Sequence, residues 1–368
     1  MKIRLVLGHP ADDFGPEVRE GLLIEALCAS GHDALAYRIA ATHGKDSAFI
    51  RLFTNDAADD PDPHAACSSA LLEQIRRDEP DVLIVKGADY RAVHSIIRAA
   101  GTRVIIASIV GGKITHRRHD SRIHIVLEEY EGQIASVRSA YLRLEHTILF
   151  PKLIRWDLAH LGDPRSKPYD VVNVGSFIPI KRQIDLLPLA DTWRLCFVGD
   201  GPERNNVERQ AKTTLNRPAF LGNVGAAEVY AAIRQSRLMV HPCTFEGFPR
   251  AFAESLAVGV PVVARQSTFR NLPPIPGIVL APDHEILSVA SAILNDAERL
   301  EALSAAARAS AERWSNSALD SSVQHFISLV ENLEVTYRPS LKERLRPYAE
   351  DLMDAWRQRR AEAQRIGR

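Results

Sequence analysis

The sequence predicts an α/β protein made of two Rossmann-like, doubly wound domains, and three observations carry that prediction. Short apolar runs of the kind that form buried parallel strands alternate with segments whose apolar residues recur at helical spacing. A chain of 368 residues is long enough for two domains of ordinary size, each with its own core. The alternation breaks once, at Asp163-Pro-Arg-Ser-Lys-Pro168, whose composition is that of an interdomain linker. The expected division is therefore residues 1–164, residues 165–336 and a helical segment at 337–368 that crosses back to the first domain.

In the first domain, Ile3 to Gly8 reads as an apolar strand that turns through Pro10, Asp12 and Asp13 before a helical pattern begins near Pro16. Leu22, Leu23, Ala26 and Leu27 lie at helical spacing, and Gly31 closes that helix as a left-handed cap. Ala34 to Ile39 is the second strand, and Asp56 to Pro63 reads as an exposed loop. Leu71 to Arg77 is a helix, Val82 to Val85 a strand, Ala92 to Ala99 a helix and Val104 to Ser108 a strand. Gly111-Gly112-Lys113 follows that strand, where glycines either form a simple turn or let backbone amides approach an anion. His116, Arg117, Arg118 and His119 make a small basic cluster, read either as a solvated loop or as a contact for a phosphate-bearing acceptor or an acidic membrane. Ile123 to Leu127 and a helix around Ile134 to Leu144 complete this half.

The second domain opens with a strand from Tyr169 to Val174, entering Gly175-Ser176-Phe177-Ile178-Pro179-Ile180-Lys181 and then a helix carrying Ile184, Leu186 and Leu187. Arg194 to Val198 ends in Gly199-Asp200-Gly201-Pro202-Glu203, which lacks the third glycine and downstream acid of a dinucleotide fingerprint. Ala219 to Leu221 is ended by Gly222-Asn223, Glu228 to Gln235 is a helix, and Ile278 to Ala281 is a last strand. Leu287, Ala290, Leu294, Leu300 and Leu303 are spaced for burial of helices against the sheet. Leu341 to Arg368 is a basic, partly amphipathic helix, expected to pack on the first domain, with peripheral membrane contact as the alternative.

Composition narrows the function classes. Lys plus Arg and Asp plus Glu both total 46, so no global field favours nucleic acid as a partner. Cys28, Cys67, Cys196 and Cys243 are dispersed, without Cys-x-x-Cys spacing, and read as buried thiols in a reducing compartment. The N-terminal apolar run is too short for a signal peptide, and no uncharged apolar run reaches the roughly 20 residues of a membrane span. A cytoplasmic protein is expected, peripheral at a membrane at most.

The chemistry concentrates between Val240 and Ala264, where an apolar strand runs into a polar loop with Glu246 and Gly247, a short helix with Glu254, and a second apolar strand. Ligands of open α/β sheets bind beyond the carboxyl ends of the strands, so both carboxylates face one crevice. Taken singly, Glu246 could cap the following helix and Glu254 could be a solvated helix residue.

Four motifs in order identify what this half resembles. They are Val174-Gly-Ser-Phe-Ile-Pro-Ile-Lys181, Val198-Gly-Asp-Gly-Pro-Glu203, Phe220-Leu-Gly-Asn-Val224, and His241-Pro-Cys-Thr-Phe-Glu-Gly-Phe-Pro249 continuing to Glu254. From Val172 to Trp314 and Ser315 the chain resembles the GT-B-fold, retaining glycosyltransferases of family 4, whose Glu-x7-Glu pattern is the most specific of these signals. The first half resembles them only in its general layout. The resemblance implies an acceptor-binding first domain, a second domain holding a nucleotide-diphosphate sugar, and metal-independent, retaining transfer of a hexose or related sugar to a hydroxyl. The acceptor would be a small molecule, a glycan or a lipid-linked species, in glycan, glycolipid or glycoconjugate synthesis. No cofactor and no metal are implied.

By the same resemblance, Glu246 meets the donor sugar, Glu254 holds the ribose and Lys181 contacts the diphosphate. Gly175, Ser176, Gly201, Pro202, Asn223 and Val224 line the donor site, and the backbone of Gly247, Phe248 and Pro249 offers helix N-terminal amides to an anion. Gly201 and Pro202 read as a tight turn ahead of ligand contacts, although the family places this loop beside the base. Gly15, Gly111, Gly112, His116 and His119 are the acceptor-side candidates, with His9 a further one. Ser176 stands where many members have arginine, and Val85-Lys-Gly-Ala88 and Ser108-Ile-Val-Gly-Gly112 lack the histidine often found there. These departures keep open a catalytically silent sugar-nucleotide-binding module, and a nucleotide-sugar epimerase on the same fold is the other alternative.

Overall fold

The computed structural model describes residues 1–9, 20–40, 46–60, 62, 65–87, 90–101, 103–109, 122–131, 133, 146–160, 166–333 and 335. Gly15, Gly111, Gly112, His116, His119, the helix expected at Ile134 to Leu144 and the one at Leu341 to Arg368 lie outside those residues.

The first domain contains β1 (Lys2–Leu7), α1 (Glu20–Ala29), β2 (Asp33–Ile39), β3 (Ile50–Phe53), α2 (Ser69–Asp78) and β4 (Val82–Lys86). It continues with α3 (Arg91–Ala99), β5 (Ile105–Ile109), β6 (Ile125–Glu128) and β7 (His146–Leu149). All seven strands are parallel, in the order β3-β2-β1-β4-β5-β6-β7. The period-two alternation of a strand divides its side chains between two cores. Ile3, Leu5 and Leu7 pack with Leu23, Ile24 and Leu27 of α1, whereas Val6 packs with Leu71 and Ile75 of α2 and Val93, Ile96 and Ile97 of α3.

A short helix α4 (Trp156–Ala159) precedes the second sheet. That domain contains β8 (Tyr169–Val174), β9 (Leu195–Val198), α5 (Arg204–Ala211), β10 (Ala219–Gly222), α6 (Ala226–Arg234) and β11 (Ser236–His241). It then contains α7 (Arg250–Ala257), β12 (Val262–Arg265), α8 (Gln266–Phe269), β13 (Ile278–Ala281), α9 (Ile286–Asn295) and α10 (Ala297–Ser310). Six parallel strands are ordered β10-β9-β8-β11-β12-β13. Val172, Met239 and Val262 meet α6 and α7 on one face; Val171, Leu238 and Val263 meet α9 on the other.

The last described helix, α11 (Asn316–Glu331), follows the second domain in sequence and packs on the first sheet. Ser315 caps it by accepting from the Ala318 amide, and Leu319, Val323, Phe326, Ile327 and Val330 form the apolar stripe that enters the core of Ile3, Leu5 and Leu7. The crossing helix lies inside the stretch 165–336 assigned above to the second domain, whereas the segment expected to cross, 337–368, lies outside the described residues.

Three expectations require correction. The edge strands β3 and β7 were not foreseen: each has four residues, and their half-exposed side chains lack the continuous apolar run of the central strands. The helix expected after Lys181 is a pair of 3₁₀ segments, Pro179–Lys181 and Gln183–Asp191, because Arg182 sits at φ 55 and Pro188 supplies no amide hydrogen. Of the four cysteines, Cys196 and Cys243 are buried, but Cys28 is exposed and Cys67 half-buried.

Candidate active site

The second sheet reverses its winding between β8 and β11, which makes that gap the crevice where an open α/β sheet accepts ligands. The four sequence motifs leave β8, β9, β10 and β11 at their carboxyl ends and gather there. Backbone bonds stitch them together: Gly175 N donates to Val198 O at 2.9 Å, Phe177 N to Asp200 O at 2.8 Å, Gly199 N to Gly222 O at 2.8 Å, and Thr244 N to Ile180 O at 2.9 Å. The buried Asn173 side chain donates from Nδ2 to Val240 O at 2.9 Å, tying β8 to β11 beneath the crevice.

Glu246 bridges that crevice. Its Oε1 lies 2.6 Å from Lys181 Nζ, on the loop after β8, and its Oε2 lies 2.7 Å from His241 Nε2, at the end of β11. Burial opposes ionisation of Glu246, but the His241 hydrogen bond and the Lys181 ammonium outweigh it and hold the carboxyl down to about 2. His241 is 1 % exposed, set edge-on to Phe252 at 5.2 Å and tilted against Phe269 at 6.1 Å. Burial pushes its imidazole down against the pull of Glu246, so the ring is neutral near pH 7. It therefore gives Glu246 a hydrogen bond from Nε2–H and no charge; the compensating charge comes from Lys181.

The other expected donor-side residues are placed as follows. Pro249 is the N-cap residue of α7, so Glu246 does not cap that helix. Pro249 also has no amide hydrogen, a correction to its expected part in anion binding; the amides available at this end belong to Gly247, Phe248, Arg250 and Ala251. The Phe248 ring is buried, stacked on Trp314 at 5.6 Å, leaving only its backbone for a ligand. Glu254 is 3 % exposed, which removes the solvated reading. Ser176, Pro202 and Asn223 are exposed, and Gly175 and Val224 half-buried. At Gly201 an added Cβ would stand 2.5 Å from Phe177 O, so this glycine is required by loop packing.

Facing this edge, the carboxyl ends of the first sheet hold an ionic cluster that the sequence reading missed. A small cavity open to solvent is lined by Glu20, Lys86, Glu129, Lys152 and Arg250, the last from the first turn of α7. Lys86 Nζ lies 2.6 Å from Glu20 Oε1, and Lys152 Nζ lies 2.6 and 2.7 Å from the two Glu129 oxygens. Burial pushes Lys152 down, with Glu129 opposing. The signal available in sequence was a charged residue directly after an apolar strand, as in Val82-Leu-Ile-Val-Lys86. His9, the weaker acceptor-side candidate, places Nδ1 3.0 Å from the Tyr90 hydroxyl.

Glu20 provides a pH test of this cluster. Burial would raise its carboxyl, but Lys86 lowers it from 4.5 to about 2. A depressed folded-state value stabilises the protein above the unfolded value and loses that stabilisation as pH falls through the folded one. Between pH 5 and pH 2, the wild type is expected to lose about 3 kcal/mol more stability than Glu20→Gln, measured by urea unfolding. Parallel losses would show that the pair does not act on folding.

Comparison with known proteins agrees with this fold. Residues 171–296 match the family described as Glycosyl transferases group 1. A GDP-mannose-dependent alpha-mannosyltransferase of Mycolicibacterium smegmatis is 33 % identical over 93 residues, 25 % of this chain and 24 % of the relative. The match thus spans about a quarter of that curated relative's length. Sucrose-phosphate synthase from Thermosynechococcus elongatus superimposes with a TM-score of 0.67 at 16 % identity, covering 90 % of this chain and 99 % of that one. The pneumococcal O-GlcNAc transferase GtfA, solved with UDP and GlcNAc, has a TM-score of 0.67 at 11 % identity, covering 90 % and 99 %. The chain therefore carries a Glycosyl transferases group 1 domain within the two-sheet architecture of GT-B glycosyltransferases.

Proposed function

We propose that the chain is a retaining, metal-independent glycosyltransferase that moves a sugar from a nucleotide-diphosphate donor to a hydroxyl held by the first domain. The observation that carries this reading is the Lys181–Glu246–His241 chain across the switch point between β8 and β11. The first amides of α7 and the Lys181 ammonium suit a diphosphate, since both place positive charge at one end of the crevice. On donor binding, Lys181 exchanges the Glu246 carboxylate for the diphosphate, and Glu246, still oriented by His241, accepts hydrogen bonds from the sugar. Glu254 holds the ribose.

In the transfer itself, the bond from the anomeric carbon to the diphosphate oxygen breaks as the acceptor oxygen bonds to the same face. The acceptor proton passes to the leaving diphosphate, whose charge is stabilised by Lys181 and the α7 amides. The cavity at Glu20, Lys86, Glu129 and Lys152 is the acceptor side. Donors worth testing follow from the relatives: GDP-mannose from the mannosyltransferase, and UDP-linked GlcNAc from the GtfA complex. Incubation of chelator-treated protein with these donors and hydroxyl acceptors should give product with the anomeric configuration of the donor, read by proton coupling in NMR. Inverted product, or a requirement for added divalent metal, would overturn the mechanism. Conversion of donor without any acceptor would favour an epimerase.

A further inference from the structure

We propose that His241, Cys243 and Glu246 form an inhibitory binding site for a thiophilic divalent cation, with zinc the best fit. A ring nitrogen of His241, the Cys243 sulfur and a Glu246 carboxylate oxygen all lie within 4.8 Å of one another. Around a tetrahedral zinc ion, ligand atoms are separated by about 3.5 Å, given metal–ligand distances of roughly 2.0–2.3 Å. No pair has to close by more than about an ångström, and His241 Nε2 and Glu246 Oε2, now 2.7 Å apart, have to open by roughly as much, within the reach of side-chain adjustment at Cys243 and Glu246. A sulfur, an imidazole and one carboxylate select zinc over magnesium or calcium, which require mostly oxygen ligands.

The surroundings point to a ligand as well. His241 is 1 % exposed, and its Nδ1 is buried without a hydrogen-bond partner, so the ring proton can move from Nε2 to Nδ1 and free Nε2, 2.7 Å from Glu246 Oε2, to coordinate. The Cys243 thiol donates to Phe245 O at 3.3 Å and also interacts with the Glu246 carboxylate, which places the sulfur beside the oxygen a cation would share with it. Lys181 is the competitor. Its ammonium neutralises the Glu246 carboxylate through Oε1, so a cation bound to that carboxylate competes with Lys181, and its entry releases the Cys243 proton to solvent. The ion oxidises nothing and supplies no catalytic water; it removes Glu246 from the donor sugar. The inhibition rests on the role proposed above for Glu246, whereas the site itself does not.

The test uses two independent readouts on the full chain after chelator treatment and desalting. Cobalt(II) should bind with a stoichiometry of one and give a thiolate-to-cobalt charge-transfer band that zinc abolishes by displacement. The band should vanish in Cys243→Ser and in Cys243→Ala, two variants that guard against misfolding of either one, and persist in Cys28→Ser. In the transfer assay, zinc should inhibit the wild type reversibly on chelator addition. Cys243→Ser should retain the wild-type rate and need at least tenfold more zinc for half-inhibition. Absence of the band, or its survival in both Cys243 variants, would overturn the site. A normal band with zinc-insensitive transfer would overturn the inhibition alone, and a normal band with no transfer under any condition would instead count against the proposed activity.

Discussion

Glu246→Gln is expected to lower sugar transfer on the order of 10²-fold or more, with nucleoside diphosphate affinity little changed. Glutamine keeps the size and an acceptor oxygen but removes the charge that Lys181 and His241 hold in place at 2.6 and 2.7 Å. Because the carboxyl is held down to about 2, the wild type is fully ionised at any working pH and the substitution acts as a clean loss of charge. Glu254→Ala, eight residues on in α7, should do the opposite, weakening the nucleotide by about 1–3 kcal/mol through a lost charged hydrogen bond. Isothermal titration with the nucleoside diphosphate alone, set beside the turnover of each variant, separates the two roles. Equal nucleotide weakening in both variants would remove the division of labour between the carboxylates. A melting curve for Glu246→Gln completes the comparison, since Lys181 is left without its counter-charge.

Gly199→Ala should be the most damaging single-methyl change in the second domain. Its φ is 131, a region that favours glycine, and an added Cβ would stand 2.1 Å from the Gly175 carbonyl oxygen and 2.8 Å from its carbon. Both neighbours are backbone, so nothing can rotate aside, and the loop after β8 must shift. A loss above about 3 kcal/mol is expected, together with weakened nucleotide binding, because Lys181 hangs from the displaced loop. Gly21→Ala is the matched control. That glycine lies in α1 with open space where the methyl would go, and the substitution should stabilise by about 0.5–1 kcal/mol. Thermal unfolding of the pair, read against nucleotide affinity, would refute the argument if Gly199→Ala melted like the wild type.

What the sequence revealed follows from how locally each feature is encoded. Strands Tyr169–Val174 and Ile278–Ala281 are readable to the residue, because apolar-rich runs, the first broken only by Asp170 and Asn173, stop at Gly175 and Pro282. Ile50–Phe53, four residues with the charged Arg51 exposed in its middle, has no such signature. Glu246 and Lys181 were each singled out by motif, but their ion pair spans 65 positions, and only the folded sheet brings them together. His241 stood inside the most specific motif without an assigned role, since its partner lies five residues away across a turn whose geometry no periodicity describes. The Glu20, Lys86, Glu129 and Lys152 cluster draws one residue from each of four separate segments, so the sequence shows only isolated charges.

The return of α11 to the first sheet has a mechanical consequence. Among the described residues the chain passes between the two sheets twice, once between β7 and β8 and once between α10 and α11. Two tethers leave relative motion one soft direction, rotation about the line that joins them, where a single linker would allow free tumbling. The same two crossings make the halves inseparable by one cut. A fragment ending before Asn316 would lose Leu319, Val323 and Phe326 and expose the face of Ile3, Leu5 and Leu7 that they cover.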